Sequence, residues 1–338
     1  MDFLRISAGP SSQQVKKNDV KTMSEKPEQM PDNATDQPLV TFALFAYNQE
    51  DLIREAVEGA LAQTYEPLEI ILSDDCSTDR TFEIMRDIAT EYDGAHKIVL
   101  RQNSKNLGIG GHVAAIGDVA NGEWIVMAAG DDISYPERTE KLMSTANSNR
   151  GSTAVFSAYF PIIENFRGRL KGNLTWSKVP LFELACTAGG AGKGATYAYR
   201  KDCFYWPCCL PDWVINEDRV LPFRAAILGH VIHCPEPLIL YRQAGTEFAE
   251  PAKLKRERLE GNPRHWALLR QHVTAATTQN RISRIQAKLA CLALRISETF
   301  HKKSGSGPHS QSIKLQFLAL RMGKKLAQAW CNFGFNKT

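Results

Sequence analysis

Apolar positions come in short blocks from Leu39 onward, and the spacing inside each block switches between two periods. LVTFALFAY is a compact apolar run, too short for most helices and rich in β-forming residues, which predicts a buried strand. After Asn48, residues Leu52, Ile53, Ala56, Val57, Ala60 and Leu61 recur at helical spacing. Acids stand in the first turn, where the helix dipole favours them. LEIILSDD then reads as a strand, TDRTFEIMRDIATEY as a helix and KIVLRQ as a strand. A helix through GIGGHVAAIGDVA leads to the strand EWIVMAA. This alternation predicts an α/β fold whose mostly parallel sheet is flanked by helices on both faces.

Ligands of such sheets gather at the carboxyl ends of the strands. Asp74–Asp75 and Asp131–Asp132 both fall at such ends, so two independent strands deliver acidic pairs to one rim. Adjacent carboxylates repel each other, and two readings account for them. Aspartate is a common turn former and helix cap, and DDISYPER could cap a helix starting at Pro136. Alternatively, hard carboxylate oxygens hold Mg²⁺ or Mn²⁺, which in turn binds a diphosphate and relieves the repulsion. A dinucleotide-binding Rossmann domain is set aside, because FAYNQED after the first strand has no glycine.

Five collinear segments then bear a specific likeness: FAYNQEDLIREAVEGALAQTYEPLEIILSDDCSTDRT, NSKNLGIGG, NGEWIVMAAGDDISYPERTEKL, NEDRVLPFRAAILG and PEPLILYRQAG. Together they resemble a family 2 glycosyltransferase with the GT-A (Rossmann-like) fold, from about Val40 to about Gly245. The resemblance implies transfer of a sugar from a nucleoside-diphosphate donor, UDP- or dTDP-linked, with inversion at the anomeric carbon. By position, Phe45 and Tyr47 would flank the base, Asp75 would accept a hydrogen bond from it and Asp74 would support that turn. Asn106 and Gly108 would border the donor, Asp131 the ribose and sugar, and Asp132 would bind the metal. Asp218 would be the catalytic base, and Arg242 would approach the phosphates or close over the site.

The chain departs from the family pattern in places. Phe45 and Ala46 stand where many relatives carry Ser or Thr, and Cys76 where they carry Gly. Ala129 and Gly130 precede the metal pair in place of a further acid, leaving fewer carboxylates around the ion. The QxxRW motif of processive synthases is absent, so transfer of one sugar or a few is expected. Residues 151–216 should form the acceptor side. There Trp213 reads equally as a sugar platform or as core, and Lys193 lies in a glycine-rich loop that lacks P-loop spacing. His230 and His233 read as ordinary strand-end residues.

Charge and composition complete the domain plan. Residues 1–37, rich in Ser, Gln, Lys, Asp and Pro, read as a disordered leader without a signal h-region. By the resemblance, residues 38–250 would form the transferase domain. Residues 251–338 hold 17 Lys/Arg against 3 Asp/Glu in a chain of net charge +4, which leaves −10 to the rest. Within this extension Ile282, Ile285, Leu289, Leu292 and Ile296 recur at helical spacing, and IKLQFLALRMGKKLAQAW follows a Ser/Gly break. Such basic helices either pack on the catalytic domain or contact an anionic inner membrane leaflet where a lipid-linked acceptor would lie. No nucleic-acid motif accompanies the charge, and the eight cysteines lack metal-ligand spacing, as in a reduced cytoplasmic protein. The expected partners are therefore a nucleotide-sugar and a glycan or lipid-linked acceptor, in cell-surface polysaccharide or lipopolysaccharide synthesis. The rival from another class is a non-catalytic, membrane-associated adaptor on a degenerate transferase domain.

Overall fold

The computed structural model describes residues 37–162, 176–187, 189–242 and 262–304. The leader up to residue 36 and the last amphipathic segment, 313–330, lie outside them. The first half follows the expected alternation: β1 (Val40–Ala46), α1 (Ile53–Leu61), β2 (Leu68–Asp74), α2 (Thr81–Glu91), β3 (Lys97–Gln102), α3 (Gly108–Val119) and β4 (Trp124–Ala129). Next come β5 (Ile133–Ser134), α4 (Arg138–Ser148), β6 (Ser152–Ile162), β7 (Ser177–Val179), α5 (Leu181–Cys186) and β8 (Tyr197–Arg200). The chain then runs through α6 (Glu217–Leu228), β9 (His230–Arg242), α7 (Pro263–Thr278) and α8 (Arg284–Ser304).

The strands form one sheet in the order β3-β2-β1-β4-β8-β6-β9-β5, with β7 beside β9. The pairs among β1, β2, β3 and β4 are all parallel, because a helix separates each strand from the next. Beyond β4 the sheet is mixed. β8 runs antiparallel to both β4 and β6, and β9 runs antiparallel to β5 and β7. The mostly parallel expectation therefore describes the half that carries the acidic pairs.

Neighbouring β1 residues serve opposite faces, as strand geometry requires. Phe42 and Leu44 join Ile70, Leu72 and Val126 under α1, α2 and α4. Ala43 joins Ile71, Ile125 and Met127 under α3 and α6. That second core also contains Trp266, Leu269 and Val273 of α7 and Ala290, Ala293 and Leu294 of α8. These two helices of the basic extension thus pack on the domain. Among the described residues, no helix is long and apolar enough to cross a membrane.

Candidate active site

The parallel register aligns the strand ends that matter. Ala46 of β1 lies beside Asp74 of β2, and Phe45 lies beside Ala129 of β4. The ladder continues one step past the strands, with Asp75 N–H donating to the Ala46 carbonyl and Gly130 N–H to that of Phe45. The two acidic turns therefore flank the end of β1, two strand spacings or roughly 10 Å apart. Gly130 packs closely on β1 and α1, where a Cβ would lie 3.2 Å from Ala46 Cβ and 3.0 Å from Ile53 Cδ1.

Asp74 organises its own turn, accepting from Ser77 N–H at 2.9 Å and from the Gln102 amide at 2.9 Å. Asp75 Oδ1 accepts from Asn103 Nδ2 at 2.7 Å and from Leu107 N–H at 2.9 Å, which fixes the carboxylate against the turn entering α3. In that turn Asn106 Oδ1 accepts from Gly108 N–H, and Gly108 has φ +69°, a conformation that favours glycine. Phe45 is half-buried with its ring edge-on to His112, centroids 5.1 Å apart, whereas Tyr47 is exposed at the rim.

His112 belongs to a relay that sequence patterning does not single out. Its Nε2 lies 2.6 Å from Ser73 Oγ, which accepts from Arg101, and Arg101 also donates to Asn103 Oδ1 at 2.6 Å. Burial, aided by the charge of Arg101 and only partly offset by that of Asp75, pushes the imidazole down to about 4, so it is neutral. A histidine inside an apolar helix has no sequence signal that separates it from core. Its role emerges only from the strand that faces it.

At the second turn Asp132 is 4% exposed. Its Oδ1 accepts the main-chain N–H of Arg242 at 2.8 Å, and its Oδ2 is buried without a partner. Burial, then the charge of Asp131, pushes Asp132 up to about 7. Asp131 is raised by its own burial. The antiparallel pairing of β5 with β9 brings Arg242 here. Its guanidinium donates to the Asp131 carbonyl at 3.1 Å and forms an ion pair with Glu55.

Below the turn lies Arg138, fully buried, which donates to Ser134 Oγ and to the carbonyls of Met127 and Ala195. It ties the end of β4 to the loop before β8 and places a positive charge near Asp132. Nothing in PERTEKL distinguishes it from a surface arginine.

Glu217 and Asp218 open α6. Glu217 is buried, and burial with Asp218 beside it pushes its carboxyl up to about 8. The glycine-rich loop lies against this pair, since a Cβ on Gly194 would meet Glu217 Oε1 at 2.8 Å and Asp218 Cβ at 3.5 Å. Tyr241 lies among the acids. Its phenol is raised first by burial and then by Asp132, Asp131, Tyr159 and Asp218, and Lys193 Nζ sits 5.8 Å from its ring centre. Trp213 is partly buried against the core, and His233 packs on Phe156.

Among the described residues no cluster of three or more His, Cys, Asp or Glu could hold a metal. An ion here would rest on Asp132, whose free oxygen is the kind of donor Mg²⁺ or Mn²⁺ takes, with Asp131 beside it. Ligand phosphates and water would complete the shell.

Comparison with known proteins adds an independent line. Residues 41–199 match the model of Glycosyl transferase family 2. An uncharacterized protein of Mycobacterium tuberculosis is 30% identical over 201 residues, 59% of this chain and 57% of that protein. The chain therefore spans little more than half of that relative. The succinoglycan biosynthesis protein ExoO of Rhizobium meliloti is 34% identical over 118 residues, 35% of this chain and 32% of its own length. Among solved structures, TarS of S. aureus in complex with UDP-GlcNAc superposes with a TM-score of 0.57 at 16% identity, over 76% of this chain and 71% of that one. The mannosyltransferase PcManGT from Pyrobaculum calidifontis, in complex with GDP-Man and Mn²⁺, gives 0.50 at 18% identity, over 87% and 81%. At such identities these structures establish the GT-A fold.

Proposed function

We propose that the chain, whose residues 41–199 match glycosyl transferase family 2, transfers a sugar with inversion, from a UDP- or dTDP-linked donor to a hydroxyl of a glycan or lipid-linked acceptor. The observation that carries this reading is that the turns bearing Asp75 and Asp131–Asp132 flank the end of β1, with a buried oxygen of Asp132 left unpartnered. A buried carboxylate oxygen without a donor is costly unless a cation meets it. The polysaccharide context draws support from the likeness to a succinoglycan biosynthesis protein, and the metal from the Mn²⁺ bound to PcManGT.

In this reading Asp75, locked through one oxygen by Asn103 and Leu107, receives the base beside Phe45 and Tyr47. Asn106 and Gly108 border the donor, and Asp131 meets the ribose and sugar. Arg242, paired with Glu55, approaches the donor phosphates or closes over the site. Asp218 accepts the proton of the acceptor hydroxyl as its oxygen attacks the anomeric carbon. The bond from that carbon to the diphosphate breaks on the opposite face, and the electron pair leaves with the nucleotide, so one displacement inverts the centre. Glu217, held neutral by its burial, adds no second charge to repel Asp218. When bound at Asp132, Mg²⁺ or Mn²⁺ supplies Lewis-acid stabilisation of the leaving diphosphate.

The deciding experiment is thermal stabilisation by UDP, dTDP, GDP and CDP, each with and without Mn²⁺. A ligand that binds only the folded chain raises Tm by mass action, with no knowledge of the acceptor needed. Metal-dependent stabilisation by UDP or dTDP is the expected result. Absence of stabilisation by every nucleotide would remove the basis of the transferase reading and favour the adaptor.

A further inference from the structure

Helix α8 buries one side and leaves another bare. Ala290, Ala293, Leu294 and Ser297 face the core, whereas Ile285 is 64% exposed, Leu292 54% and Ile296 42%. At 3.6 residues per turn, Ile285, Leu289, Leu292 and Ile296 fall within about 60° of one another, a stripe about 17 Å long. Arg284, Lys288 and Arg295 are all exposed and form a ridge about 90° round the helix from that stripe. The helix adds no acid to this surface, since its one Asp or Glu, Glu298, pairs with Arg270 of α7 at 2.6 Å.

The helix is fixed to the body. Ser297 Oγ donates to the carbonyl of Cys186 at the end of α5. The next residue, Thr187, receives Arg219 from the first turn of α6, directly after Asp218. The bare surface therefore belongs to a helix anchored at the end of α5, next to the residue that receives Arg219 of α6.

We infer that the outer face of α8 seats on an anionic lipid bilayer, with Ile285, Leu289, Leu292 and Ile296 entering the acyl boundary and Arg284, Lys288 and Arg295 meeting headgroup phosphates. A narrow aliphatic stripe beside a basic ridge is the pattern of an interfacial helix. Charge argues against two other occupants. Residues 305–338 carry five Lys/Arg and no Asp/Glu, so this segment would be repelled by the ridge, as would a second copy of α8. A protein partner needs about 800 Å² of surface with large anchoring side chains, and a single convex helix ridge offers neither. The inference is independent of the glycosyl-transfer reading, because its readout is binding without turnover.

The test is co-sedimentation of the full chain with vesicles of phosphatidylcholine alone and with 30 mole percent phosphatidylglycerol. It compares wild type, Leu292→Ser/Ile296→Ser and Lys288→Gln/Arg295→Gln. All four side chains are exposed, so an unchanged Tm certifies the fold of each variant. Wild type should sediment with the anionic vesicles only, and binding should weaken with salt. The charge variant should bind about thirtyfold less tightly, given two surface charges removed, and the apolar variant should also lose affinity. Absence of binding to anionic vesicles would overturn the inference, as would equal binding by all three proteins. So would a vesicle-free dimer that the apolar variant dissociates, which would assign the stripe to a second copy.

Discussion

The main-chain N–H of Arg242 donates to Oδ1 of Asp132 over 2.8 Å, while the second oxygen of the same carboxylate is buried with no partner. One half of Asp132 is thus committed to the fold, and the other half has no hydrogen-bond partner.

That division has a pH signature. The folded-state value of Asp132, about 7, lies above the ordinary 3.8, so the folded chain holds a proton that the unfolded chain has released. Its contribution to stability is therefore lost as pH rises from about 4 to 7, and the penalty is constant above that. Asp132→Asn should raise Tm of the metal-free protein at pH 8 and flatten its change across that window. The same variant should lose Mn²⁺-dependent stabilisation by nucleotide. Calorimetry at pH 5 and 8, with and without metal, reads both effects.

Asp218→Asn keeps the size of the side chain and removes the proposed proton acceptor. Turnover should fall by about 10²–10⁴-fold, the usual loss of a general base. Nucleotide-induced stabilisation should be unchanged, because no donor contact is assigned to Asp218. A parallel loss of nucleotide binding would move the residue from the chemistry to the structure of the site.

Gly110 on α3 packs against the segment before α6, where an added Cβ would lie 1.9 Å from the carbonyl oxygen of Val214. Backbone cannot rotate away as a side chain can. Gly110→Ala should cost on the order of 1–3 kcal/mol despite the higher helix propensity of alanine. Urea unfolding measures it. The glycines of NLGIGGH then serve helix packing at this point, with Gly108 supplying the left-handed turn.

His272 of α7 is fully buried, and neither ring nitrogen has a partner. Burial first, then Arg224 and His265, pushes it down to about 3. Below its unfolded value of 6.5 the unfolded chain gains a proton that the folded chain refuses, so stability falls as pH drops from 6.5 toward 3. His272→Leu should remove this loss. The stability gap between variant and wild type should widen by about 1.4 kcal/mol per pH unit below 6.5. A constant gap would mean that the folded protein admits the proton.

Local pattern was enough for the first half of the fold because each strand and helix there is patterned by the environment it meets. Phe42 and Leu44 take one face and Ala43 the other, and helical spacing in α1 matches its buried residues Ile53, Ala56, Val57 and Ala60. Beyond β4 the same reasoning overstates parallel pairing. Strand direction there depends on which neighbour is reached in space, and β8 fits between β4 and β6 only in reverse.

By itself the sequence determined the acidic turns after β2 and β4, the carboxylates opening α6 and the basic character of the extension. Those features are local, written in residue type and period. Tertiary structure alone decided that His112 meets Ser73 of β2 and that Arg138 braces β4 against the loop before β8. It also left one oxygen of Asp132 bare while Arg242 took the other. Each of these joins residues far apart in the chain. Burial, which makes a polar side chain either a satisfied prop or a group awaiting a ligand, is fixed by what the rest of the chain packs around it.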